Sequence, residues 1–207
     1  MTRANLQLTD YDAAGSVHVE DLAKVAAPLS PLLTMELDGA MAALGLTADE
    51  LLIAALGRTV ERTIGPGTIT LDVPRHGTKA HAMTLPCAST VDVGTDELLA
   101  GVHAALAAMK IHRIVREAPD EPRVQPVSQA LFAGTEAAGS WPHLGHALEL
   151  RAYRNGAVIE LDWWFDPRRF ASYTVQELAE QFSLALIELT SEAAPPIHAA
   201  PELAMAH

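Results

Sequence analysis

Nine histidines and one cysteine are the side chains of this 207-residue sequence that could move a proton, act as a nucleophile or hold a metal ion. His76 has the most suggestive position. It sits in Pro74-Arg75-His76-Gly77, directly after a stretch of alternating apolar residues, and strand ends are where scaffolds present functional loops. An imidazole there could act as a base or hydrogen-bond a carbonyl, and Arg75 before it is a second candidate substrate contact. The plainer reading, a turn histidine stabilising its own loop, is preferred. His143 and His146 have metal-like spacing, but two histidines with no acidic or cysteine neighbour do not make a zinc site, so no metal is expected. His103 falls on a helical stretch and reads as interfacial or solvated. Cys87 follows Pro86 within a strand-like run, shows no activating pattern and reads as core. Asp10-Tyr11-Asp12-Ala13-Ala14-Gly15 superficially resembles a calcium loop. Its fifth position is alanine and its twelfth is Asp21, so an ordinary turn is preferred. Gly65-Pro66-Gly67 lacks the lysine of a phosphate loop, and no Gly-x-Ser-x-Gly elbow is present. Trp163 and Trp164 must point to opposite faces of any strand that carries them. Trp163 is assigned to the core, and Trp164 to a groove or partner surface where it could contact substrate.

The elements that must position these residues are legible in the spacing. Residues 144–193 read as strand, tight turn, strand and long helix. Leu144, His146, Leu148, Leu150 and Ala152 share one face, with Glu149 and Arg151 on the other; Ile159, Leu161, Trp163 and Phe165 line one face of the return strand. Asn155-Gly156 predicts a type I′ hairpin turn, and Thr174 with Glu177 predicts a capping box for the last helix. Further upstream, Pro31 opens an amphipathic segment to Leu44, and Thr47 with Glu50 is a second capping box. The helix behind it runs to about Ile64. Residues 68–73 alternate as a strand, and a second strand over 83–93 contains Pro86, which suggests an edge or a bulge. Thr95 starts a helix reaching about residue 114. Pro119, Pro122 and Pro126 then break the chain before a short strand near 128–132. Residues 17–19 are expected to be a strand, 134–142 a mobile loop and the alanine- and proline-rich end disordered. The expected fold is α/β, a two-layer sandwich of a mixed sheet and helices. Residues 1–30 are read as an N-terminal extension, 31–193 as the folded domain and 194–207 as a tail.

Composition narrows the function. With 49% hydrophobic residues the chain can bury a substantial core. Its 14 basic against 26 acidic side chains give a formal charge of −12, which argues against nucleic-acid binding. One cysteine excludes an internal disulfide. No signal peptide and no membrane-length apolar run are visible, so a cytoplasmic protein without membrane contact is expected.

Three stretches resemble one family. Residues 46–60 are similar to the helix that opens the C-terminal lobe of condensation and epimerization domains of nonribosomal peptide synthetases, which share the chloramphenicol-acetyltransferase-like fold. Residues 69–77 resemble the family strand ending in Glu-Gly-His-Gly; Asp72, His76 and Gly77 match, but Pro74 stands in place of the glutamate and Arg75 in place of the glycine. Residues 146–182 are similar to the family's closing hairpin and helix. The resemblance covers roughly residues 30–192. It implies one lobe of a two-lobed acyltransferase-like enzyme without the His-His-x-x-x-Asp-Gly sequence of the other lobe, since this chain has no adjacent histidine pair. Whether it is itself an enzyme stays open. The resemblance implies an accessory or split subunit in nonribosomal peptide or related biosynthesis, completed by an N-terminal-lobe partner or by homodimerisation. The alternatives are a non-catalytic module that docks a carrier protein, with its phosphopantetheine-linked substrate, or a tailoring enzyme, and a small enzyme with repurposed chemistry at His76. No cofactor is implied.

Overall fold

A computed structural model describes residues 4–15, 17–74, 80–115, 128–134 and 145–192, with only the backbone of 110–115. A 3-10 turn at Val19–Asp21 precedes strand β1 (Ala23–Ala26). Helices α1 (Pro31–Leu44) and α2 (Ala48–Thr63) follow, then strands β2 (Gly67–Pro74) and β3 (Ala80–Cys87), helix α3 (Thr95–Val115), strand β4 (Ala130–Ala133), the hairpin β5 (Leu148–Asn155) and β6 (Val158–Phe165), and helix α4 (Ser172–Glu192). The strands form one mixed six-stranded sheet in the order β1-β6-β5-β4-β2-β3. β2, β4 and β5 run parallel at its centre, and the two hairpins and β1 are antiparallel. The α/β two-layer expectation holds.

Alternation decides the layers. Leu71, Ala130, Leu148, Phe165 and Ala23 form one transverse row of paired residues, so they share a face. That face joins the buried residues of the helices in a single apolar core, in which Trp163 meets Phe182 edge-on at 5.5 Å. Leu131 and Ala133 are also buried, yet they lie outside this core because they point from the opposite face. The second face therefore carries a separate buried layer, free of helices among the described residues.

Local signals account for the helix ends. Ser30 accepts from the N–H of Leu33 at 3.1 Å and Pro31 takes the first helical position of α1, while Gly45, at φ 68°, ends it in the left-handed region. The Thr47–Glu50 capping box forms in both directions, with Glu50 Oε2 accepting from Thr47 N at 2.6 Å. Burial pushes the Glu50 carboxyl up, but the Thr47 and His103 hydrogen bonds outweigh it and hold the pKa below its ordinary value. Thr47→Ala is expected to lower stability by about 1 kcal/mol, read from the urea midpoint at unchanged slope; no shift would show that the box contributes nothing. α2 is buried on every side from Leu51 to Val60, because α3, α4 and the sheet all pack against it.

Four local expectations change. The second strand, expected over 83–93, falls at Ala80–Cys87, and residues 88–93 form the turn into α3. The hairpin loop is Gly156-Ala157, since Asn155 pairs with Val158 as the last residue of β5. Only Gly156, at φ 60°, adopts positive φ, the pattern of a II′ turn rather than I′. α4 starts at Ser172, so Thr174 is buried inside its first turn instead of capping it. The N–H of Ala171 donates to Asp10 Oδ2 at 2.8 Å, so the helix entry is held by a residue 161 positions away. The N-terminal strand falls at Ala23–Ala26 rather than 17–19, and Ala27 and Leu29 continue its bonding to Leu161 and Ile159.

Candidate functional site

The second sheet face holds an unusual row of residues. Asp72, Leu131, Glu149, Trp164 and Lys24 pair in succession across β2, β4, β5, β6 and β1, so all five side chains leave the sheet on the side away from the helices. Two of the carboxylates are deeply buried, Glu149 at 0% exposure and Asp72 at 8%. A buried carboxylate requires partners, because desolvation otherwise drives it to its neutral form. His146 Nε2 lies 2.8 Å from Asp72 Oδ2, and its Nδ1 stands 3.9 Å from Glu149 Oε1. Arg151 Nη2 donates to Glu149 Oε2 at 2.8 Å. Burial pushes the Asp72 carboxyl up, but hydrogen bonds from His146 and Ser128 outweigh it and hold its pKa below the ordinary value.

His146 is a departure from the strand pattern. Alternation from Leu148 would place it on the core face, whereas its ring meets Asp72 and Glu149 on the other. Gly145 takes φ 80° and the chain bends at Ala147, so strand geometry begins only at Leu148 and does not govern the residue before it. At 1% exposure His146 is sealed from solvent, and its ring is placed to orient the Asp72 carboxylate.

Toward β1 the same face opens. Lys24 Nζ lies 5.3 Å from the centre of the Trp164 ring and 3.3 Å from Asp162 Oδ1. Tyr153 OH stands 3.5 Å from Asp162 Oδ2, and its pKa is raised, by desolvation first and then by the nearby Asp162 and Glu160 carboxylates. Trp163 is buried in the core, and Trp164 leaves the opposite face of β6, half-buried beside Lys24.

Arg75, His76 and His143 lie outside the described residues, as do the 134–142 loop beyond Gly134 and the chain beyond Glu192. Among the described residues no group of histidine, cysteine, aspartate and glutamate could hold a metal ion. The two aspartates of the calcium-like stretch bind protein donors, Asp10 the Ala171 N–H and Asp12 the Gln7 amide. His103 is partly exposed and meets Glu50 Oε1 at 2.9 Å. Cys87 is buried. Sequence reasoning missed Asp72, Glu149 and Arg151 as a set. The signal was available: three charges inside strands otherwise rich in apolar residues must pair if both faces are covered.

No protein-family model matches the chain. Among curated proteins it is 28% identical to one subunit of the phenolphthiocerol/phthiocerol polyketide synthase of Mycobacterium tuberculosis, an alignment covering 95% of this chain and 16% of that protein. The chain thus spans a small part of the length of the curated relatives it matches. Among solved structures, the epimerization domain from the third module of tyrocidine synthetase B superimposes with a TM-score of 0.64 at 13% identity, covering 88% of this chain and 52% of that one. The condensation domain from monacolin K polyketide synthase gives a TM-score of 0.60 at 14% identity, over 93% of this chain and 53% of the other. A mixed sheet with helices on one face, matched to about half of each of these domains, gives the chain the fold of condensation and epimerization domains, the chloramphenicol-acetyltransferase-like architecture.

Proposed function

We propose that this chain is the C-terminal-lobe element of a condensation-domain-like unit in nonribosomal peptide or polyketide biosynthesis. It closes against an N-terminal-type lobe across the helix-free face of its sheet. The observation that carries the reading is that the fold corresponds to about half of the solved condensation and epimerization domains it resembles. The β1 end of the second sheet face supports it, because Trp164 and Lys24 leave the sheet there on the side that carries no described helix, and are at least partly exposed. The curated relative belongs to a polyketide synthase, which fits the same chemistry. A cytoplasmic setting is part of the proposal; among the described residues no single helix is long and apolar enough to cross a membrane. Trp164, Arg75 and His76 are the proposed substrate contacts, the latter two because they directly follow Pro74 at the end of β2. A carrier protein bearing a phosphopantetheine-linked acyl group is the proposed donor of that substrate.

The test is to mix the chain with a separately expressed N-terminal condensation lobe carrying His-His-x-x-x-Asp-Gly and to measure the mass of the mixture by light scattering. A heterocomplex is expected, weakened at least tenfold by Trp164→Ala with Lys24→Glu. Absence of a complex, together with no binding to loaded or unloaded carrier protein, would remove the proposal.

A further inference from the structure

The two edges of the sheet are built differently. β1 is four residues long and carries Lys24, and charged side chains and brevity both discourage pairing at an edge. β3 is eight residues long and contains no Asp, Glu, Lys or Arg. Its main-chain directions follow from its partner. Thr68 N–H donates to Ala4 O at 2.9 Å and Thr68 O accepts from Leu6 N–H at 2.8 Å, so the peptide groups of Thr68 face away from β3. Thr68 pairs with Pro86, which makes that a non-hydrogen-bonded pair; every second pair along the ladder shares its type. The peptide groups of Ala80, Ala82, Thr84 and Pro86 therefore point outward from the sheet.

At one end that edge is closed. Pro86 has no N–H to offer, and its carbonyl lies so near α2 that a Cβ on Gly57 would stand 2.7 Å from it. From Ala80 to Thr84 it is open among the described residues. Ala82 and Thr84 are exposed, and no described strand pairs there. Alternating outward N–H and C=O groups on a strand without Asp, Glu, Lys or Arg recognise an extended polypeptide. The open stretch is also complementary to itself. An antiparallel copy placed with Ala82 opposite Ala82 sets Ala80 against Thr84, and every outward N–H then finds a carbonyl. This register leaves Pro86 beyond the paired stretch. Small alanine side chains and a threonine leave the approach unobstructed.

We propose that a second copy of the chain pairs along the Ala80–Thr84 edge of β3, joining two sheets into one across a twofold axis. Such pairing uses a surface distinct from the helix-free face and does not depend on the partner lobe.

Sedimentation velocity of the full chain over a wide concentration range tests it, alongside Ala82→Lys/Thr84→Lys, Ala82→Pro and Ala82→Cys. The wild type is expected to form a reversible dimer. The lysine variant, which alters only exposed side chains, and the proline variant, which removes an outward N–H that β2 does not use, are both expected to be monomeric with unchanged circular dichroism. Ala82→Cys is expected to give a covalent dimer on mild oxidation. A wild type monomeric at every concentration overturns the proposal, as does a dimer that survives the lysine substitutions or fails to cross-link at position 82. A monomer that still binds an N-terminal lobe would remove the edge pairing and leave the proposed function standing.

Discussion

Arg58→Met is expected to destabilise the chain by about 3–5 kcal/mol, the range for stripping one partner from a buried charged network. Arg58 is 1% exposed although it lies in the middle of α2. Its guanidinium donates to the carbonyls of Ala88 and, at 2.6 Å, Val93, which bracket the turn between β3 and α3. Its Nε lies 3.9 Å from Glu188 of α4, which also pairs with Arg62. One side chain thus fastens the turn, the buried helix and the last helix together. Burial lowers the guanidinium pKa, opposed by the Glu61 and Glu192 carboxylates. Methionine has similar bulk but donates nothing, so two carbonyls lose their donor inside the protein. Lysine keeps the charge yet lacks the planar fork that reaches both carbonyls, and an intermediate loss is expected. Urea unfolding monitored by tryptophan fluorescence gives the values. A loss under about 1 kcal/mol for Arg58→Met would show that water replaces the guanidinium and that the clamp is ornamental.

Arg58 also shows what a sequence withholds. Its neighbours in α2 announce a helix with a buried stripe, and the capping box at Thr47 and Glu50 marks its start in the chain itself. Both are local signals, carried by residues within one turn of each other. That the remaining side of α2 is covered too, so that a charged residue must find carbonyls 30 and 35 positions away, is a tertiary fact with no local trace. The same division separates the two ends of α4. The apolar stripe Val175, Leu178, Phe182, Leu186 and Leu189 is periodic and all of it is buried, whereas the helix entry is fixed by Asp10, far away in the chain. In the candidate site, alternation correctly sent Glu149 and Arg151 to the face opposite Leu148. It misassigned His146 because a glycine at positive φ stands before it. The resemblance read from three stretches anticipated the fold, since they supply a helix, a strand and a hairpin with its helix of the sheet-and-helix unit; the pairing of Asp72 with His146 needed the sheet order.

His146→Ala is the substitution that separates an organised charge network from a merely buried one. Removing the imidazole leaves Asp72 desolvated without the hydrogen bond that most lowers its pKa, so a loss of about 3–5 kcal/mol at neutral pH is expected. The sign of the pH dependence is the sharper test. In the wild type the folded pKa of Asp72 lies below its unfolded value. Its contribution is therefore fully present above the unfolded pKa of about 4 and lost as pH falls through the folded pKa. Glu50 and Asp166 are lowered as well. Burial opposes both shifts, and Thr47 with His103 in one case and Arg168 in the other overcome it. Wild-type stability should accordingly fall on acidification below about pH 4. In His146→Ala burial acts on Asp72 with less opposition, and its folded pKa moves above the unfolded one. Protonation then favours the folded state, so the deficit against wild type should shrink as pH is lowered toward about 5. Asp72→Asn in the same background cannot be protonated and should abolish that recovery. It should also restore part of the loss, because a neutral amide is less costly to bury than an unpartnered carboxylate. Urea midpoints for wild type, both single variants and the double variant at the two pH values decide it. A His146→Ala deficit that stays constant with pH, or a recovery that persists with Asn at position 72, would place the titrating group elsewhere and reduce His146 to packing.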